Sequence, residues 1–339
     1  MKLALVLLVA CGSNVAVKPT EDRIDAIGRR YHEAGTFDGV IAVRAHGQLT
    51  HVSAFGDATR DQVFPYASIT KQVAAVLVMQ EVAAGRLSLD APVHGSVTLR
   101  QLLQHTSGMG DPEAGTPDGH LPAFYLRSHV GTAHEEADAC WALPASEAGA
   151  FHYNNCDYIV IGALLEQTTG QSFAALVHAR IANKLGLRSW GVFGVDVPPA
   201  TLARGHGDQG EVAPEVNHAT YGAAGALFGN ATDLSVFAQA LLDGTLLDAK
   251  ASAELFRGDP KVQMEALGSW QYELDLDGRK LDLVERQGDI AGIRAISLFS
   301  RTDGFTIAVL ANTERAPLFD LWAKKGLSYD LVEAVAQAK

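Results

Sequence analysis

Beyond its first ten residues the 339-residue chain has no uninterrupted apolar run of the roughly 18 residues that a membrane-crossing helix needs, so nothing in its body spans a bilayer as a helix. It is also short of positive charge, with 27 Lys and Arg against 39 Asp and Glu and a formal net charge of −12. An acidic surface repels a polyanion and gains nothing from counterion release, which argues against nucleic acid as a partner. None of the 12 histidines stands in a metal-ligand spacing of the His-Glu-x-x-His kind, so no metal and no cofactor is implied. Glycine-rich residues 222–229 lack the lysine and the strand-to-helix context of a phosphate loop, and read instead as tight packing ahead of a helix. There is no internal repeat and no low-complexity tract. With 47% hydrophobic and 19% charged residues the chain buries a large core.

The N-terminus differs from the rest. Met1-Lys2 is a minimal positive region, residues 3–10 are apolar, and small residues follow, which makes 1–10 a secretory signal peptide. Leu8-Val9-Ala10-Cys11 has the form of a bacterial lipobox, which predicts Cys11 as the lipidated first mature residue and 11–22 as a polar tether. The expectation is an exported lipoprotein on the periplasmic side of a membrane, held by its lipid; an ordinary signal peptide with an incidental cysteine is the alternative. Only Cys140 and Cys156 remain. Export permits a disulfide between them, closing a loop worth roughly 3 kcal/mol, with two buried thiols as the other outcome.

Alternating runs at 39–45 and 48–55, joined by His46-Gly47, predict a hairpin. Residues 68–84 carry Val73, Val76, Leu77 and Val82 on a helical period closed by Gly85. From about 99 to 214 helix patterns and Pro/Gly loops dominate, with 158–168 and 173–184 the clearest helices and no strand ladder evident. A helix follows at 232–242, with Thr232 or Asn230 as its cap. Asp277-Gly278 joins strand runs 270–276 and 280–285, Asp303-Gly304 joins 293–300 and 305–311, and a last helix covers 318–336. The fold class expected is α+β: an antiparallel sheet built from both ends of the chain (23–98 and 215–339), flanked by helices, with a mostly helical region (99–214) inserted.

Ser68-Ile69-Thr70-Lys71 opens the most regular helix. Positions i and i+3 share a helix face, so Lys71 reaches the Ser68 hydroxyl, and the helix N-terminus favours negative charge developing there. Tyr153-Asn154-Asn155 supplies a phenol able to carry the serine proton and an amide able to hold a substrate carbonyl. These motifs, together with YASITKQ at 66–72, GRLSLDAPV at 85–93, LLQHTSGM at 102–109 and YNNCDYIVIG at 153–162, resemble in kind and order the serine β-lactamase and penicillin-binding-protein superfamily, in its class C β-lactamase-like branch. The resemblance implies Ser68 as acylated nucleophile, Lys71 and Tyr153 as proton carriers, and Asn155 as a substrate-binding amide. His105, Thr106 and Ser107 would pack a loop beneath the site.

The family's third motif, Lys-Thr-Gly or His-x-Gly, has Arg286-Gln287-Gly288 as its counterpart here. Lys184-Leu185-Gly186 and His129-Val130-Gly131 have similar letters but fall in the helical region. Arg286 keeps a positive charge able to clamp a substrate carboxylate or favour ionised Tyr153, but it cannot shuttle protons. A surface ion pair with Glu285 or Asp289 is the plainer reading of Arg286. Gln287 lacks the family's small hydroxyl, which sets β-lactam hydrolysis in question. The backbone N–H groups of Ser68 and of Asp289, after Gly288, would form the oxyanion hole. The expected chemistry is acyl transfer through Ser68 on an ester, amide or lactam carbonyl of a small-molecule or peptidoglycan-derived substrate. A D-alanyl-D-alanine-type peptidase, a β-lactamase, or a non-hydrolytic peptidoglycan or β-lactam sensor are the alternatives.

Overall fold

The computed structural model describes residues 20–116 and 120–337, so the predicted signal peptide and Cys11 lie outside the described residues. Helix α1 (Thr20–Glu33) comes first. It takes in residues 20–22, the expected end of the tether, because Ile24 and Gly28, one turn apart, bury against the sheet. Strands β1 (Gly39–Ala45) and β2 (Gln48–Phe55) form the predicted hairpin. The C-terminal half adds β3 (Trp270–Leu276), β4 (Arg279–Ile290), β5 (Ile293–Ser300) and β6 (Phe305–Ala311).

Together they make one six-stranded antiparallel sheet in the order β2-β1-β6-β5-β4-β3, so the two ends of the chain meet where β1 pairs with β6, Gly39 opposite Ala311. Asp277 and Gly278 both take positive φ in the β3–β4 turn, the geometry that a two-residue hairpin with right-handed strand twist demands. Alternation along β1 divides the core: Val40 and Ala42 face one side, Ile41 and Val43 the other. The second side is covered by α1 and the C-terminal helix Gly326–Ala336, which is shorter than the sequence pattern suggests because Lys324, at φ 55°, breaks the preceding turn. The first side receives α2 (Ile69–Ala83) and Ala231–Leu242, the latter capped by Asn230, whose side chain accepts from the Asp233 N–H at 2.8 Å.

The middle of the chain contributes α3 (Ala133–Trp141) and α4 (Cys156–Thr169). It also holds one feature that the sequence did not reveal: Gly191–Val192 pairs with Leu227–Gly229, which pairs with Phe64–Pro65. Strands of two or three residues carry too few side chains to show a period. Cys140 on α3 and Cys156 at the start of α4 are joined by a disulfide, their Cα atoms 5.3 Å apart. Among the described residues no helix is long and apolar enough to cross a membrane.

Candidate active site

Helix α2 begins under tension. Ala67, just before Ser68, sits at φ 46°, a left-handed conformation that costs a residue with a Cβ roughly 1–2 kcal/mol. The next turn is tight: Ile69, Thr70 and Lys71 donate their N–H groups to the carbonyls of Tyr66, Ala67 and Ser68. The result lifts Ser68 into the cleft while Ile69 through Met79 are buried.

Lys71, one turn on, is fully buried. Its Nζ lies 3.1 Å from Ser68 Oγ, 2.8 Å from Asn155 Oδ1 and 2.9 Å from the Ala224 carbonyl. Three acceptors match the three protons of an ammonium. Burial lowers the Lys71 pKa, and the nearby Arg286 charge lowers it further against an opposing pull from Tyr153. As a neutral amine Lys71 still donates to Asn155 and Ala224 and turns its lone pair toward the Ser68 hydroxyl.

Tyr153 Oη lies 2.7 Å from Ser68 Oγ and accepts a hydrogen bond from Arg286 Nη2 at 3.0 Å. Burial pushes the phenol pKa up, but the positive charges of Lys71 and Arg286 outweigh it, and the net shift is downward. Ser68 thus faces two bases, both shifted toward their proton-accepting forms. The loop with the Tyr153 ring rests on His105, whose ring centroid is 4.4 Å away. His105 is held neutral by burial and by the Arg286 and Lys71 charges. His105 Nδ1, Ser107 and the Asn154 amide all converge on buried Asp157, so the 105–107 segment does pack beneath the site.

Asn155 is engaged at both ends: Oδ1 accepts from Lys71, Nδ2 donates to Glu113 Oε1 at 2.7 Å, and its backbone N–H donates to Asp111 Oδ2 at 2.8 Å. Of the amide that was expected to touch substrate, one Nδ2 proton remains for that contact.

Arg286 emerges on β4 just past Glu285, the last residue of that strand paired with β3, so the following residues present a strand edge to the cleft. The side chain is not a surface ion pair with Glu285 or Asp289. It is fully buried, with Nε on the Ser68 carbonyl at 3.0 Å, Nη2 on Tyr153 and Nη1 3.4 Å from Glu265. At Gly288 an added Cβ would lie 2.4 Å from the Tyr66 carbonyl oxygen, so glycine lets this edge approach the backbone leading into Ser68. Asp289, next along, lines the same cleft; Arg294 reaches it at 3.3 Å.

The cleft, about 580 Å³, is walled by Tyr125, Tyr221, Trp270 and Phe319 and is lined as well by Asp111, Glu113 and Asp289. Burial raises the Glu113 pKa, with Asp111 adding to the effect, while hydrogen bonds from Tyr221 Oη at 2.5 Å and Tyr125 Oη at 3.2 Å hold it. Among the described residues no group of His, Cys, Asp or Glu is arranged to hold a metal ion. Lys184, from the alternative third motif, donates instead to the Thr245 carbonyl.

With this geometry in view, a match of residues 23–328 to the Beta-lactamase family model decides the affiliation. The chain belongs to the Beta-lactamase family. It is 29% identical over 273 residues to penicillin-binding protein 4 of Amycolatopsis lactamdurans, covering 70% of this chain and 68% of that one. It is 32% identical over 204 residues to esterase EstB of Burkholderia gladioli, where the match spans half of each protein. A D-stereospecific amidohydrolase from Streptomyces superposes with a TM-score of 0.78 at 24% identity, over 93% of this chain and 98% of that one. D-amino acid amidase from Ochrobactrum anthropi superposes with a TM-score of 0.77 at 20% identity, over 94% and 99%. These likenesses establish the β-lactamase/transpeptidase-like fold.

Sequence reasoning did not single out Asp111, Glu113, Glu265, Trp270 or Phe319. Asp111 and Glu113 follow Met109 closely, so the end of the 102–109 motif was a signal for them. Glu265 and Phe319 reach the site through long-range packing that no local pattern records.

Proposed function

We propose that this Beta-lactamase-family member is a serine hydrolase that transfers the acyl group of an amide or ester to Ser68 and releases it to water. The observation that carries this reading is the close placement of Ser68 Oγ against both Lys71 Nζ and Tyr153 Oη, two bases whose proton affinities are lowered together. In acylation the hydroxyl proton passes to Lys71 or Tyr153 as Oγ attacks the carbonyl. The developing oxyanion is received by the Ser68 and Asp289 N–H groups, and the leaving group takes the proton back.

The cleft's acidic lining, able to accept hydrogen bonds, and its committed guanidinium favour a substrate bearing an amine near the scissile bond over one bearing a carboxylate. Three acidic side chains line the cleft, while the guanidinium that would clamp a carboxylate is already bonded to Tyr153, Ser68 and Glu265. D-Amino acid amides and esters, or peptidoglycan-derived peptides with a free amine, have that chemistry, and the D-amino acid amidase that shares this fold is named for the first of them. Export with lipid attachment at Cys11 is part of this proposal, supported by the lipobox-like sequence and by the buried disulfide.

The test is hydrolysis of D-phenylalanine amide, a neutral p-nitrophenyl ester and a chromogenic cephalosporin by the wild type and by Ser68→Ala. Turnover of the first two that vanishes in the variant supports the reading, with the cephalosporin the poorest substrate. Cephalosporin turnover ahead of both would return the β-lactamase alternative, and no turnover of any would return the sensor.

A further inference from the structure

Glu265 is a fully buried carboxyl group with an unusual arrangement of partners. Its Oε1 is 3.4 Å from Arg286 Nη1, and among the described residues its Oε2, also buried, has no hydrogen-bond partner. A buried Arg–carboxylate pair is frequently bidentate, with both oxygens in the guanidinium fork, because an unsatisfied buried oxygen is costly. Here the fork is turned elsewhere, with Nη2 on Tyr153 Oη and Nε on the Ser68 carbonyl, while the guanidinium stacks on Trp270 with its carbon 4.9 Å from the ring centroid. Arg286 is therefore shared between two groups able to carry negative charge, the Tyr153 phenol and the Glu265 carboxyl.

Resting on the acyl-transfer reading above, we propose that Glu265 is a positioning residue that sets the proton affinity of Tyr153 through Arg286. When Glu265 is ionised it offsets part of the guanidinium charge, and Tyr153 becomes the stronger base. When Glu265 is protonated, the whole of that charge acts on Tyr153, whose phenolate then persists to lower pH. The other groups that bear on this balance are Lys71 from α2, Tyr158 from α4 and the neutral His105 beneath Tyr153. Burial holds Glu265 at about 7, against the pull of Arg286 and Lys71, so it changes state in the range where the enzyme would work. The device widens the pH range over which Ser68 faces a competent base.

The experiment is the ultraviolet titration of Tyr153 in the Ser68→Ala background, read as the difference from the same protein carrying Tyr153→Phe, with and without Glu265→Gln. It needs no turnover, so it reads this inference even where the hydrolase reading fails. Glu265→Gln is expected to lower the Tyr153 midpoint by on the order of one pH unit. Glu265→Asp, which keeps the charge but moves it away, should give a smaller shift in the same direction and serves if the Gln variant does not fold. With Ser68 intact, the acid limb of kcat/KM should move down with the midpoint. A Tyr153 midpoint unchanged in either folded variant overturns the proposal, as does an upward shift.

Discussion

Replacing Arg286 by methionine, similar in length and unable to carry charge, is the sharpest perturbation of the site. The guanidinium, itself fully buried, donates to the half-buried Tyr153 at Oη, 3.0 Å away. A charge pair near 4 Å at an effective dielectric constant of about 20 is worth about 4 kcal/mol, which makes about three pH units the ceiling on the resulting shift. Lys71 stays beside Tyr153, and Glu265, without its partner, takes up a proton rather than remaining a bare buried anion, so a shift of about two units is the working expectation. The sign follows from the charges. Arg286 lowers the Tyr153 pKa, its removal raises it, and the phenolate appears only at higher pH. The acid limb of kcat/KM for a neutral p-nitrophenyl ester should therefore move up by about two units, with the rate at neutral pH falling roughly 100-fold and partly recovering at alkaline pH. A pH series of initial rates on Arg286→Met, checked for folding by thermal melting, measures this. A uniform loss at every pH, with the limb unmoved, would refute the electrostatic role and leave Arg286 as a packing residue.

Gly288→Ala should reduce kcat strongly while the fold survives, since its Cβ would meet the Tyr66 carbonyl at 2.4 Å and push the β4 edge away from Ser68; steady-state kinetics beside circular dichroism checks this. Removing the disulfide by Cys140→Ala with Cys156→Ala should cost roughly 3 kcal/mol of stability, read by urea denaturation. Part of the activity should be lost as well, because Cys156 directly follows Asn155. Glu113→Gln keeps the shape that orients Asn155 but removes a carboxylate from the cleft. It should raise KM for D-phenylalanine amide about 10-fold and leave the neutral ester near wild type, and an equal effect on both would argue against amine recognition.

Much of the sheet could be read in the sequence, because β3 alternates with a period of two, β1, β5 and β6 are short apolar runs buried almost throughout, and tight turns such as Asp277-Gly278 demand positive φ. The strand that carries Arg286 runs on to Ile290, five residues past the predicted end, since its cleft-side edge is set by packing against the backbone before Ser68 rather than by alternation. Helix α1 went unrecognised because its polar start reads as the continuation of a tether, and only the buried Ile24 and Gly28 reveal what it packs against. Ser68, Lys71 and Tyr153 were legible from short-range spacing and motif order, and the structure brings them together. The direction of the Arg286 side chain was not, because its buried partner Glu265 lies 21 positions away on a loop with no pattern of its own. The acidic lining of the cleft was legible only in part, since Asp111 and Glu113 adjoin the 102–109 motif but come to line one cleft with Asp289 only in the folded chain.

The most direct test of the central claim is to quench the enzyme during turnover of an activated ester, then locate the acyl group by intact-mass measurement and peptide mapping. The account predicts a single acyl addition on the peptide containing Ser68, absent from Ser68→Ala, which should also fail to turn over the ester. An acyl group on another residue, or undiminished turnover by Ser68→Ala, would contradict it.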